Sequence, residues 1–102
     1  MPAVVRIGDE LSTGHGCDGT TTLDNSNQGV DNVYANNLLI CVEGADTESH
    51  PFPPDPPCNP HVAQLNTGSA TVKINYIKVG RIGDSADAGA MSSGSTTVFA
   101  GP

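Results

Sequence analysis

Three segments of this chain follow one pattern, and a chain that repeats itself three times within 102 residues must build its fold by stacking copies of one small unit. Gly29-Val30-Asp31-Asn32-Val33-Tyr34-Ala35-Asn36, Gly68-Ser69-Ala70-Thr71-Val72-Lys73-Ile74-Asn75 and Gly94-Ser95-Thr96-Thr97-Val98-Phe99-Ala100-Gly101 each run from glycine through three mostly small or polar residues to valine, a longer side chain, an apolar residue and then Asn or Gly. Such a copy spells a turn glycine, a short strand of alternating and β-branched residues, and a second turn, which is half of a hairpin. A second element occurs twice almost unchanged, Val5-Arg6-Ile7-Gly8-Asp9 and Gly80-Arg81-Ile82-Gly83-Asp84, with a blurred version at Val42-Glu43-Gly44-Ala45-Asp46. It follows the first element at a similar interval, ten residues from Asn36 to Asp46 and nine from Asn75 to Asp84.

Between the repeats lie two irregular stretches. Ser12 to Gln28 is rich in Gly, Thr, Asp and Asn, and Thr47 to Pro60 holds six of the eight prolines. Neither can be helical. A proline-dense segment lacks the backbone donors that a sheet interior needs, so an ordered loop or a polyproline-like strap is expected there. No segment carries apolar residues at helical spacing over three turns, and the fold class that follows is all-β with almost no helix.

Only 36% of the residues are hydrophobic, tryptophan is absent, and two Tyr and two Phe are the whole aromatic content. A single domain over 1–102 with so thin a core needs reinforcement by a metal, by disulfides or by a partner surface. Three cysteines, Cys17, Cys41 and Cys58, are an odd number, and Met1 to Leu11 lack the basic-then-apolar order of an export signal. Metal ligation is therefore the better expectation, in a protein synthesised in the cytoplasm. The net charge of −7 argues against nucleic acid and anionic membranes as partners.

All three histidines fall in or beside the irregular stretches: His15, with Cys17, in the first, and His50 and His61, with Cys58, in or just after the second. Imidazole and thiolate are the ligands a tetrahedral zinc site prefers, and a core-poor chain gains most from one. Cys58-x-x-His61 can place two ligands on one turn, with His15 and His50 arriving from distant loops; a set using Cys17 in place of His50 remains open. Cys41 sits in the apolar run Leu38 to Val42 and reads as a small buried hydrophobe. Asp9, Asp46 and Asp84 recur after a glycine corner, where a carboxylate accepts bonds from nearby amides, and Arg6 and Arg81 are placed to pair with them. Asp18, Asp24, Asp31 and Asp55 lack the spacing and closing Glu of a calcium loop. No nucleophile elbow, phosphate loop or metalloprotease motif is present, so no enzymatic activity and no small-molecule substrate are expected.

With these elements in this order the chain resembles the PAAR-repeat family, named for a Pro-Ala-Ala-Arg turn followed by an apolar residue, Gly and Asp. Met1-Pro2-Ala3-Val4-Val5-Arg6-Ile7-Gly8-Asp9 is similar to the opening block, Gly68 through Asp84 to the second, and Gly94 through Phe99 to the last strand. The literal motif is loosened to Pro2-Ala3-Val4-Val5-Arg6, and Ser85 to Pro102 contains no His or Cys. The resemblance implies a small cone of three short β-repeats with pseudo-threefold symmetry, long ordered loops and a zinc staple at the point. It implies docking of the base on the blunt end of a trimeric β-helical spike, one copy per trimer, in a contractile injection machine such as a phage tail baseplate or a type VI secretion apparatus. The function implied is mechanical, a tip that meets the target envelope transiently and pierces it. His15, His50, Cys58 and His61 are the implied zinc ligands, with Cys17 as the alternative. Because the repeats run from the first residues to Pro102, a plain tip without a toxin domain is expected. A zinc hydrolase using His15, His50 and His61, and a free-standing adhesive β-repeat protein, are the two competing readings.

Overall fold

A computed structural model of the chain describes residues 2–14, 19–26, 32–52 and 59–101, with the backbone alone at 50–52 and 59–61. Among the described residues ten short strands occur in order: β1 (Glu10–Ser12), β2 (Thr20–Thr22), β3 (Tyr34–Ala35), β4 (Leu38–Leu39), β5 (His50–Phe52), β6 (Asn59–His61), β7 (Lys73–Ile74), β8 (Ile77–Lys78), β9 (Ser85–Ala86) and β10 (Gly89–Ala90). They pair as five antiparallel two-stranded units, each strand with its neighbour in sequence. Among the described residues there is no helix.

The second repeated element makes three turns of one kind. Asp9 donates its amide to the Arg6 carbonyl at 3.0 Å, Ala45 to Val42 at 2.9 Å and Asp84 to Arg81 at 3.0 Å. The third residue of each turn is glycine with φ of 88°, 93° and 90° at Gly8, Gly44 and Gly83. That left-handed conformation is the one a type II turn demands at this position, and a side chain there would be strained. The structural counterpart of Asp9 and Asp84 in the middle block is therefore Ala45 and not Asp46, a correction to the sequence alignment. Asn36 to Ala45 is nine residues, the same as Asn75 to Asp84. Asp46 instead corresponds to Glu10 and Ser85: Asp24 donates to its carbonyl at 3.0 Å, as Ser92 does to Glu10 at 2.9 Å and Asn66 to Ser85 at 2.7 Å.

Each turn leads into a hairpin, and the hairpins are joined in a ring. The first runs from Glu10 to Leu23, the second from Asp46 to Leu65 and the third from Ser85 to Met91. Leu23 pairs with Thr47, Leu65 with Ala86, and Met91 returns to Leu11. All six of these residues are buried and contribute to the core; Val5, Cys41, Ala45 and, more peripherally, Ile7 pack with the apolar ones.

The second of the three hairpins overturns one expectation. The proline-rich segment is not a loop or strap where it is described: β5 and β6 pair with Pro51 opposite Pro60. A two-stranded ribbon has no interior, so a proline whose missing donor would have faced outward removes nothing from the ladder. Thr20 to Leu23, expected to be irregular, likewise forms strand and bridge.

A second set of hairpins surrounds a separate apolar cluster of Val4, Ala35, Ile40, Val42, Val79 and Ala100. In β3/β4 and β7/β8 the turns are Asn36-Asn37 and Asn75-Tyr76, both residues of each having positive φ, the pattern of a two-residue type I′ hairpin. Ile40 donates to Val33 at 2.9 Å and Val79 to Val72 at 3.0 Å; Val4 donates to Val98 in the same way at 3.0 Å. The third copy of the repeat is thus completed from the other end of the chain, Ala3 pairing with Phe99.

Between the two clusters three strands meet. Val5 donates to Gly80, Gly80 to Cys41 and Cys41 to Val5, each at 3.0 Å, a closed cycle of backbone bonds. Val5 and Cys41 are fully buried side chains within it. A Cβ added at Gly80 would clash with the Leu65 side chain and lie 2.8 Å from Val5 Cγ2, so this position has no room for one. At Gly19 an added Cβ meets nothing within 4 Å. We expect Gly80→Ala to destabilise the fold by about 1–3 kcal/mol, the usual cost of overpacking. Gly19→Ala should change stability by less than about 0.5 kcal/mol. Urea denaturation of the two variants checks both.

Candidate functional site

The two repeated Arg-Ile-Gly-Asp corners build closed electrostatic clasps. Arg6 Nε and Nη2 donate to the two Asp9 carboxylate oxygens at 2.9 and 3.1 Å, and the Arg6 amide donates to Oδ2 at 2.7 Å. Arg81 repeats the arrangement on Asp84 at 3.1, 3.0 and 2.8 Å. The fork-on-carboxylate geometry is bidentate, and the Asp9 hydrogen bond raises the Arg6 guanidinium further above its already high value, as Asp84 does for Arg81. Each remaining guanidinium nitrogen fastens the neighbouring hairpin set: Arg6 Nη1 reaches Asn36 Oδ1 at 3.2 Å, and Arg81 Nη1 reaches the Gly101 carbonyl at 2.8 Å. These pairs are structural, as their turn position suggested.

In the middle corner both charged partners are absent. Val42 occupies the Arg position, and its amide, with no carboxylate to bond, donates to the Ser26 carbonyl at 3.3 Å. Asp46 is used elsewhere: Asn25 Nδ2 donates to Oδ2 at 3.1 Å and Gln64 Nε2 to Oδ1 at 3.1 Å, tying the first hairpin to the return arm of the second.

The candidate metal ligands fall on the first two hairpins. His50 begins β5 and His61 ends β6, and the register sets them directly opposite one another. Opposite positions in an antiparallel pair are backbone neighbours across the ladder. His61 lies on strand β6. His15, Cys17 and Cys58 lie outside the described residues. His15 and Cys17 belong to the segment joining β1 to β2, and β2 continues into the Leu23–Thr47 bridge, with Glu48 donating to the Thr22 carbonyl at 2.8 Å. The hairpin carrying His15 and Cys17 is thus the immediate neighbour of the arm that starts at His50. Among the described residues no group of three or more His, Cys, Asp or Glu side chains is gathered in one place. Asp24 is described without such a group around it; Asp18, Asp31 and Asp55 lie outside.

Cys41 is a free thiol, completely buried, its Sγ 3.6 Å from the Asn25 carbonyl. The reading of it as a small buried hydrophobe holds.

Sequence reasoning missed a further feature. Among the described residues the exposed large apolar side chains are Tyr34, Leu38, Val62, Val72, Tyr76, Ile82 and Phe99, and five of the seven belong to the second hairpin set. Tyr76, 97% exposed, sits at the tip of β7/β8 with φ of 69°. The signal was the dipeptide Asn75-Tyr76, where a type I′ turn calls for Asn-Gly.

Burial, reinforced by the charges of Asp9 and Asp24, pushes the Cys41 thiol up to about 12. A thiol whose folded value lies above its unfolded one gives stability that is complete below the unfolded value near 8.5 and is lost as pH rises toward the folded value. Between pH 9 and 11 the unfolding free energy of the wild type should therefore fall by about 1.4 kcal/mol per pH unit more steeply than that of Cys41→Ala. Denaturant titrations across that window measure the difference, and parallel slopes would contradict it.

No known family model matches the chain, and no curated protein matches it.

Proposed function

We propose that this protein is the piercing tip of a contractile injection machine, a PAAR-like cap seated on the end of a trimeric β-helical spike. The observation that carries the reading is the ring of three hairpins, in which Leu23 pairs with Thr47, Leu65 with Ala86 and Met91 with Leu11. Each return strand meets the outgoing strand of the next hairpin, and the third closes on the first, which supports reading the chain as three similar faces about a common axis. A single chain with pseudo-threefold character would fit the end of a trimer without a second copy. Exposed Tyr34, Leu38, Val72, Tyr76 and Phe99 on the second hairpin set supply apolar contact area for such a seat.

His15, His50, Cys58 and His61 would hold zinc, with Cys17 as the alternative to His50. The donor set suits the ion, and His50 opposite His61 provides two ligands at adjacent positions. Bound there, zinc would cross-link the first two hairpins and stiffen the arms that would form the point of the cone. Structural zinc contributes on the order of 10 kcal/mol in small metal-dependent domains. A tip loaded in compression needs rigid arms.

Two measurements test the proposal. Light scattering of this chain mixed with the trimeric spike protein from the same genome should give one 10.4 kDa chain per trimer; two chains per trimer would sink the cap. Elemental analysis should find one zinc per chain, lost in His61→Ala, and chelator should lower the unfolding midpoint by more than about 10 °C.

A further inference from the structure

We infer that the β7/β8 hairpin is the anchor of the docking face, and that it seats Tyr76 in an apolar pocket rimmed by carboxylates on the end of the spike trimer. The inference rests on the docking reading above and goes past it by naming the contact and its chemistry.

Nothing in the fold of the isolated chain accounts for Tyr76. It is 97% exposed, so it packs against almost nothing, and its φ of 69° is one that a bulky side chain adopts only under strain. The matching position in β3/β4 is Asn37, with φ of 67°, a residue that tolerates this conformation well. A strained and solvent-exposed aromatic at a hairpin tip has the character of a binding anchor, since tyrosine brings large contact area with little side-chain entropy to lose.

Its surroundings specify the partner. One pair behind the turn, past Ile74 and Ile77, Lys73 and Lys78 stand opposite one another in the register, a like-charge pair that an isolated ribbon disfavours. The equivalent pairs in the other two units are Tyr34 with Leu39 and Ala3 with Phe99. Only four basic side chains exist in a chain of net charge −7. Arg6 and Arg81 are consumed by Asp9 and Asp84, so the positive charge left for a partner is concentrated beside the most exposed aromatic ring. A pocket for the phenol with acidic groups at its rim satisfies both features. An anionic bilayer would meet the same lysines, but it would also meet the repulsion of the whole acidic chain. Because the other two units lack this combination, one chain engages one of the three identical pockets of the trimer.

The test measures affinity for the purified trimeric spike of the same genome together with thermal unfolding of each variant alone. Tyr76→Asn should leave the unfolding midpoint unchanged or raise it, while weakening binding at least tenfold; Tyr76→Phe should bind within about threefold of wild type. Lys73→Gln with Lys78→Gln should weaken binding at low salt and flatten its dependence on salt. Wild type that binds the trimer while the Asn and Gln variants bind equally well would overturn this inference and leave the docking reading intact. Wild type that binds no trimer would bring down both. Capture of the wild type, but not Tyr76→Asn, by phosphatidylcholine vesicles containing one quarter phosphatidylglycerol would assign the anchor to a membrane and refute the pocket.

Discussion

Three backbone hydrogen bonds, from Val5 to Gly80, Gly80 to Cys41 and Cys41 to Val5, hold the molecule at its waist. Each of the three strands gives one amide and accepts with one carbonyl, so none is an edge at this level and no buried polar group is left over. The cycle brings three Cα atoms so close that three side chains cannot share the space. Val5 and Cys41 fill it and Gly80 yields, which is why three otherwise similar blocks must differ at this position. On one side of the waist the apolar cluster of Leu11, Leu23, Leu65 and Met91 packs inside the ring of hairpins, and on the other Val4, Ile40 and Val79 pack inside the second set. A core this small can direct the fold because strand closure, rather than burial alone, sets its geometry.

The Arg–Asp clasps act on the same problem from outside. A carboxylate that accepts the amide of its own turn and both prongs of a guanidinium fixes the corner, and the third guanidinium nitrogen carries that rigidity to the hairpin set beyond the waist. In the middle block Val42 and Ala45 replace the pair, and the apolar side chain of Val42 joins the core cluster instead. The corner keeps its shape because Gly44 and the Ala45–Val42 bond suffice for the turn, while Ser26 accepts the orphaned Val42 amide.

The parts legible in the sequence were those set by local chemistry. Glycine before aspartate announced the turns, arginine three residues earlier announced the clasp, and the apolar run Leu38 to Val42 announced a buried Cys41. The matching of Asp46 to Asp9 failed because Gly44-Ala45-Asp46 imitates the motif one residue late; the interval of ten residues where the other block has nine was the sign of it. The proline-rich arm was misread because the rule against proline in sheets applies to interior strands, and β5 and β6 have only each other. The opposition of His50 and His61 depends on register across a long connection, which composition and spacing do not encode. The exposure of the second hairpin set was invisible because Tyr34, Leu38 and Phe99 have the pattern of core residues and lack a core to face.

Repetition and its breaking divide the labour of the fold. Where the three blocks agree, in the glycine turns and the buried return residues Leu23, Leu65 and Met91, they agree on what closure of the ring requires. Beyond the Gly80 position and the middle corner, the blocks differ in their hairpins: the third is cut to a two-residue turn at Asp87-Ala88, while the second extends into β5 and β6. Those longer connections can diverge because loop closure costs little extra once the ring is paired beneath them. A frame closed by backbone bonds at its waist and ring leaves both ends free to vary, histidine on one hairpin set, tyrosine and lysine on the other, without disturbing those bonds.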